Sequence, residues 1–215
     1  MSFDGRRGEG SIARLAGRWK TAMALRCLGL VFLSSPASSC KAGAPALHAN
    51  QASFEGTDGR SHLVPASSPA PFTVIVFFSK HCHCLSAHDE RLRHMDARYR
   101  SSGIQFFAVD SEVSSTLAGD REEASQRSYP FPILMDPMGR LARALGAQSA
   151  SYAVVLDAGG DVRYEGGIDS DKTHLRDDAI PFLADAIDDL LANRPLRLAA
   201  TSTVGCALHT ALHEW

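Results

Sequence analysis

The sequence predicts a mixed α/β layer fold in which a central β-sheet, with both parallel and antiparallel pairs, is flanked by helices. Three observations lead there. Residues 72–78 are β-branched and aromatic without polar alternation, as in a strand buried on both faces. From this strand onwards the chain alternates strand and helical patterns in the order βαβαβ. Two short strands around Gly159-Gly160 then form a hairpin, and an amphipathic helix closes the chain.

Taken in order, Ser53 to Val64 carries an Asp58-Gly59 turn between short alternating runs, a hairpin signal, and residues 65–71 are a loop rich in Ala, Ser and Pro. After the strand at 72–78, Leu85, His88, Leu92, Met95 and Tyr99 recur at spacings of three and four with charges between them, predicting one helix over 85–100. Residues 104–109 are the next strand, 114–128 a polar helical connection, and 132–135 a third strand. A short helix follows Asp136-Pro137-Met138-Gly139. The hairpin pairs 152–156 with 162–165, and the last helix spans 175–192. No internal repeat is present.

At 215 residues with a formal net charge of -2, the chain accommodates one sizeable core and offers no basic tract for nucleic acid or an acidic membrane surface. Its first forty residues differ from the rest. Arg6, Arg7, Arg14, Arg18, Lys20 and Arg26 precede the apolar run Cys27 to Leu33, which falls well short of the roughly 18 residues of a membrane span and reads as an export signal. Met23 would give a leader of more usual length. Two cleavage signals compete, Ala42-Gly43-Ala44 and a lipoprotein-type Ala37-Ser38-Ser39-Cys40 that would anchor the chain through a lipid on Cys40. The expected organisation is a signal over 1–40, a tether over 41–52, a folded domain over 53–206 and a tail over 207–215. The expected location is outside the cytoplasm.

The chemistry concentrates in Ser79-Lys80-His81-Cys82-His83-Cys84, between the strand at 72–78 and the following helix. Unpaired amides at a helix start favour a thiolate over a thiol, and protonated His81 or His83 would add to this. Two cysteines in so polar a segment are poor core candidates. His88 and His94 read as packed or solvated helix residues, and Glu90 with Arg91 as a solvated pair.

The sequence resembles the thioredoxin-like superfamily, and within it the redoxin group related to alkyl hydroperoxide reductase and thiol-specific antioxidant. The resemblance covers about residues 50–206. It rests on Val74 to Ser79 leading into Cys82, Ala87 to Leu92 after it, Asp136 to Ala142, the hairpin Val154 to Val162, Gly166-Gly167-Ile168-Asp169, and the ending Thr203-Val204-Gly205-Cys206. It implies a thioredoxin-like fold and a thiol oxidoreductase with Cys82 as nucleophile and Ser79 three residues before it. No cofactor is implied. The partners would be a thiol or disulfide protein or a peroxide, and a reducing protein.

Three departures bear on the activity. Leu85 stands where many relatives carry a second cysteine, so the nearest partner is Cys84; Ile75 replaces a proline of peroxidase members; and Ala150-Ser151 replaces a Thr-Pro pair whose proline is cis. A trans Ser151 is expected to open the site. Cys206 has three readings: it resolves an intermediate on Cys82, pairs with Cys84, or is a buried thiol. A Cys82-x-Cys84 disulfide would close a small, strained and oxidising ring. Cys82 is expected to attack, being more accessible than Cys84. The alternative is a binding module for a soft ion such as Cu(I), held by Cys82, Cys84 and a third ligand, His174 or Cys206. The superfamily includes copper-delivery proteins. A third reading is a binding domain with inert cysteines.

Overall fold

The computed structural model describes residues 51–66 and 70–211. The leader, Cys40 and both cleavage signals lie outside the described residues. Strands β1 (Ala52–Glu55) and β2 (Ser61–Val64) pair antiparallel around the Asp58-Gly59 turn, as the alternation predicts. The central sheet holds β3 (Phe72–Phe78), β4 (Gln105–Asp110), β5 (Ile133–Met135), β6 (Ala153–Asp157) and β7 (Val162–Gly166) in the order β5-β4-β3-β6-β7. β4 runs parallel to β3 and β5, whereas β6 runs antiparallel to β3 and β7. β3 is the middle strand, and Thr73 to Phe78 are all buried, which is why its sequence lacks alternation.

Both sheet edges are covered. At β5, Ile133 donates its N–H to Thr57 Oγ1 and accepts from Thr57 N–H, each at 3.0 Å. At β7, Glu165 N–H donates to Ala199 O at 3.1 Å and Thr201 N–H donates to Glu165 O at 3.0 Å. The N-terminal hairpin and the C-terminal segment thus occupy backbone groups that would otherwise template another chain.

Two helices differ from expectation. The helix expected over 85–100 is two, α1 (His83–Ala87) and α2 (Asp89–Tyr99), broken at His88. His88 Nδ1 donates to Cys84 O at 2.6 Å, occupying the carbonyl that its own backbone N–H would use in a continuous helix; that N–H bonds Leu85 O instead, at 2.8 Å. Two helices follow, α3 (Leu117–Gln126) and α4 (Arg140–Ala144). The last helix, α5 (Phe182–Leu191), starts seven residues later than expected, after Pro181, which disfavours helical backbone in the residue before it. Tyr99 ties α2 to α5, its hydroxyl donating to Asp188 Oδ1 at 2.9 Å. No helix among the described residues is long and apolar enough to cross a membrane.

Candidate active site

β3 ends at Phe78 and delivers the chain through buried Ser79 into α1. Cys82 N–H bonds Ser79 O at 3.1 Å, turning the backbone so that Cys82 becomes the residue that caps the helix. Its sulfur accepts the Leu85 N–H at 3.4 Å, the hydrogen bond a serine or aspartate cap would make. Arg127 steadies this corner from behind. Its guanidinium lies 5.0 Å from the centre of the Phe78 ring and donates to Lys80 O at 3.0 Å.

The third cysteine arrives on the C-terminal segment. Ala150 N–H donates to Cys206 O at 2.8 Å, Leu208 N–H donates to Gln148 O at 3.0 Å, and Ser149 bridges Ala207 antiparallel. Gly205 is the contact that makes this approach workable, because a Cβ there would lie 1.8 Å from Ala150 O. The sulfurs of Cys82, Cys84 and Cys206 consequently lie within 4.8 Å of one another. None forms a disulfide in this structure.

Their protonation is unequal. Burial pushes the Cys82 thiol up, but the Cys206 thiol and the N–H groups of Leu85, Cys206 and Cys84 outweigh this and leave it below the ordinary thiol value. Cys206 is the complement. Donating its S–H to Cys82 pushes it up to about 11, with burial and the negative charge of Cys82 adding to the effect. The cluster therefore favours one thiolate, on Cys82, with Cys206 as its proton-bearing neighbour.

The structure brings together Cys82, Cys84 and Cys206 among the residues singled out in the sequence. His81 and His83 are solvent-exposed beside them, and Ser79 is buried beneath. His174 is exposed on the segment between β7 and α5 and does not belong to the sulfur cluster. Two expectations are corrected. Cys82 is 1% exposed and Cys84 5%, so Cys82, expected to be the more accessible of the two, is not. The Ala150–Ser151 peptide is trans, with Ser151 buried at φ 69, but the site does not open: Gly205 and Cys206 pack there in place of a proline ring.

Sequence reasoning assigned no role to Asp169, which the fold brings to His88. His88 Nε2 lies 3.0 Å from Asp169 Oδ1 while Nδ1 faces Cys84 O, so both ring nitrogens meet acceptors and the imidazolium form satisfies both. Burial pulls the His88 pKa down, but the bonds to Asp169 and Cys84 leave it raised overall. Asp169 also accepts from Arg91 and from Asp171 N–H. Arg91 is therefore no mere solvated partner of Glu90.

No family model matches the chain, and no curated protein does. Solved structures do. An uncharacterized conserved protein from Geobacillus kaustophilus superposes with a TM-score of 0.69 at 22% identity, over 77% of this chain and 92% of that one. A putative thiol:disulfide interchange protein DsbE from Chlorobium tepidum gives 0.51 at 18% identity, over 69% and 95%. The bacterioferritin comigratory protein of Xanthomonas campestris, whose structures concern alkyl peroxide reduction, gives 0.50 at 13% identity, over 69% and 98%. The chain has a thioredoxin-like fold, as its sequence resemblance implies.

Proposed function

We propose that the protein is a thiol oxidoreductase acting outside the cytoplasm, with Cys82 as the attacking thiol. The observation that carries this reading is the convergence of three sulfurs within 4.8 Å at the start of α1, with Cys82 as the hydrogen-bond acceptor of the group. The thioredoxin-like fold and the thiol-disulfide and peroxide chemistry named for similar structures support it. The basic leader and its apolar run support export, with Cys40 as the candidate lipid anchor.

The Cys82 thiolate attacks one sulfur of a substrate disulfide. The other substrate sulfur leaves as a thiolate and takes a proton, and a mixed disulfide remains. Cys206 then attacks the Cys82 sulfur, expelling the second substrate thiol and leaving a Cys82–Cys206 disulfide; two electrons have passed to the substrate. The first attack removes the charge that held Cys206 protonated, so the resolving thiol becomes easier to ionise when it is needed. A reducing thiol partner resets the pair. With a peroxide, the thiolate would take one oxygen to become a sulfenic acid, an alcohol would leave, and Cys206 would displace water. Because Cys82 and Cys84 are buried and Cys206 lies against them, lifting of the 206–208 segment is the route by which substrate would reach the thiolate.

Single variants test the assignment. Cys82→Ser is expected to abolish turnover, and Cys206→Ser to accumulate a mixed disulfide on Cys82. Cys84→Ser is expected to retain the first step with an alkylation midpoint below the free-thiol value of roughly 8.5. Mass spectrometry after a disulfide or a peroxide identifies the oxidant and the bond formed. A lower alkylation midpoint in Cys82→Ser than in Cys84→Ser would reverse the assignment.

A further inference from the structure

The same three sulfurs are an all-thiolate donor set as well as a redox centre. We infer that Cys82, Cys84 and Cys206 form a three-coordinate site for a soft monovalent cation, Cu(I). With metal–sulfur bonds of about 2.3 Å, a trigonal arrangement places sulfurs about 4.0 Å apart. The observed limit of 4.8 Å is thus within about 0.8 Å of that geometry, a shift that rotation of three cysteine side chains can supply. Among the described residues, this is the one group of three or more histidine, cysteine or carboxylate side chains whose donor atoms converge closely enough to hold a metal ion.

Donor type and burial select the ion. Thiolates without oxygen or imidazole partners favour Cu(I) over hard divalent cations. A structural zinc site takes four protein ligands, and a catalytic one takes three plus an exchangeable water. Among the described residues a fourth side-chain donor does not join the cluster, and Cys82 at 1% and Cys84 at 5% exposure leave little access for water. Cu(I), content with three sulfurs, suits the site. Binding replaces S–H protons by metal–sulfur bonds and releases those protons, with no change in oxidation state. The two chain segments bearing the ligands, 82–84 and 206, are held by backbone bonds to Ser79 and Ala150, so the donor set is largely preorganised.

The inference does not depend on turnover. Fully reduced, full-chain protein is titrated anaerobically with Cu(I) in the presence of bicinchoninate, whose coloured complex reports what the protein leaves behind. Uptake of one equivalent is expected, with X-ray absorption showing three sulfur neighbours at about 2.3 Å. Cys206→Ser, checked for an unchanged melting temperature, is expected to lose the ability to outcompete bicinchoninate; His174→Ala is expected to retain it. Protein oxidised to a disulfide beforehand should take up none. No competition by the wild type, a two-sulfur or nitrogen-containing shell, or Cys206→Ser binding as the wild type does would each overturn the site. The X-ray absorption result on wild-type protein decides even if a variant folds poorly. A parallel disulfide-exchange assay separates the readings: copper uptake without turnover sinks the redox function alone, and turnover without uptake sinks this inference alone.

Discussion

Asp110 ends β4 beside Phe78, and its buried carboxyl faces that of Asp120 at the start of α3. Asp110 Oδ1 accepts the Glu112 N–H at 2.9 Å, while Asp120 Oδ2 has no hydrogen-bond partner among the described residues. Burial, joined by the repulsion of Asp120 and Glu112, pushes Asp110 up to about 8. Burial likewise lifts Asp120 to about 6, with Glu112 and Glu123 adding to the rise and Lys80 opposing it. The sign of the consequence follows. An unfolded aspartate gives up its proton near pH 4, whereas the native pair retains one, so the stability this proton confers is complete below about pH 4 and is lost as pH rises towards 8. Asp110→Asn keeps the acceptor for Glu112 and gives Asp120 an N–H partner that never titrates. It should flatten the decline over that window and raise the melting temperature at pH 7.5 by about 2–4 °C for each kcal/mol regained. Melting curves from pH 4 to 9 measure this; an unchanged slope would show that the carboxyls ionise freely in the native state.

At the scale of elements, the break between α1 and α2 is held by a bond from another part of the chain. His88 links the Cys84 carbonyl to Asp169, 81 residues away, so the helix carrying two of the three thiols is pinned to the segment after β7. Replacing His88 by Leu removes a charged donor from Asp169, but Arg91 and the Asp171 N–H still serve that carboxylate, limiting the cost to about 1–3 kcal/mol. Because the folded pKa of His88 is raised, its contribution is complete below about pH 6.5 and disappears as pH climbs through the folded value. Urea unfolding should therefore separate wild type from His88→Leu more widely at pH 6 than at pH 9; equal gaps would mean that folding leaves the imidazole pKa unshifted, and a wider gap at pH 9 that the fold favours the neutral ring. This break was illegible in sequence because the period through Leu85, His88 and Leu92 is helical and the partner that interrupts it is distant. The strands were legible for the opposite reason. β3 needs both faces apolar in the middle of the sheet, and residues 72–78 state that locally. Cys82 and Cys84 were legible from their place between strand and helix, but their convergence with Cys206 was not, because that residue comes from the far end of the chain.

At the scale of the molecule, the segment bearing Cys206 joins the sheet edge to the sulfur cluster. Residues 199–201 pair along β7, and 206–208 pair along 148–150, so one continuous segment closes an edge and carries Cys206 to Cys82. Removing Val204 to Trp215 cuts the second half and leaves the first. The lost packing includes Leu208, which is 4% exposed although the sequence places it in the C-terminal tail. Burial of such a side chain is worth about 1.5–3 kcal/mol, so the truncated chain should melt roughly 3–12 °C lower while keeping its sheet. The chemical effect should run the other way for the first step. With the segment gone, Cys82 and Cys84 lose their cover, and iodoacetamide at a pH high enough to ionise every thiol should alkylate Cys82 faster than in the intact chain. Resolution should fail in the same protein: a disulfide substrate should leave a mixed adduct or a Cys82–Cys84 bond, with no link to the tail. Cys206→Ser provides the control, since it removes the thiol but retains the backbone pairing, and it should resolve as poorly as the truncation while alkylating as slowly as the wild type. If truncation and Cys206→Ser alkylate at the same rate, the segment does not gate Cys82, and access to the thiolate must come through another face of α1.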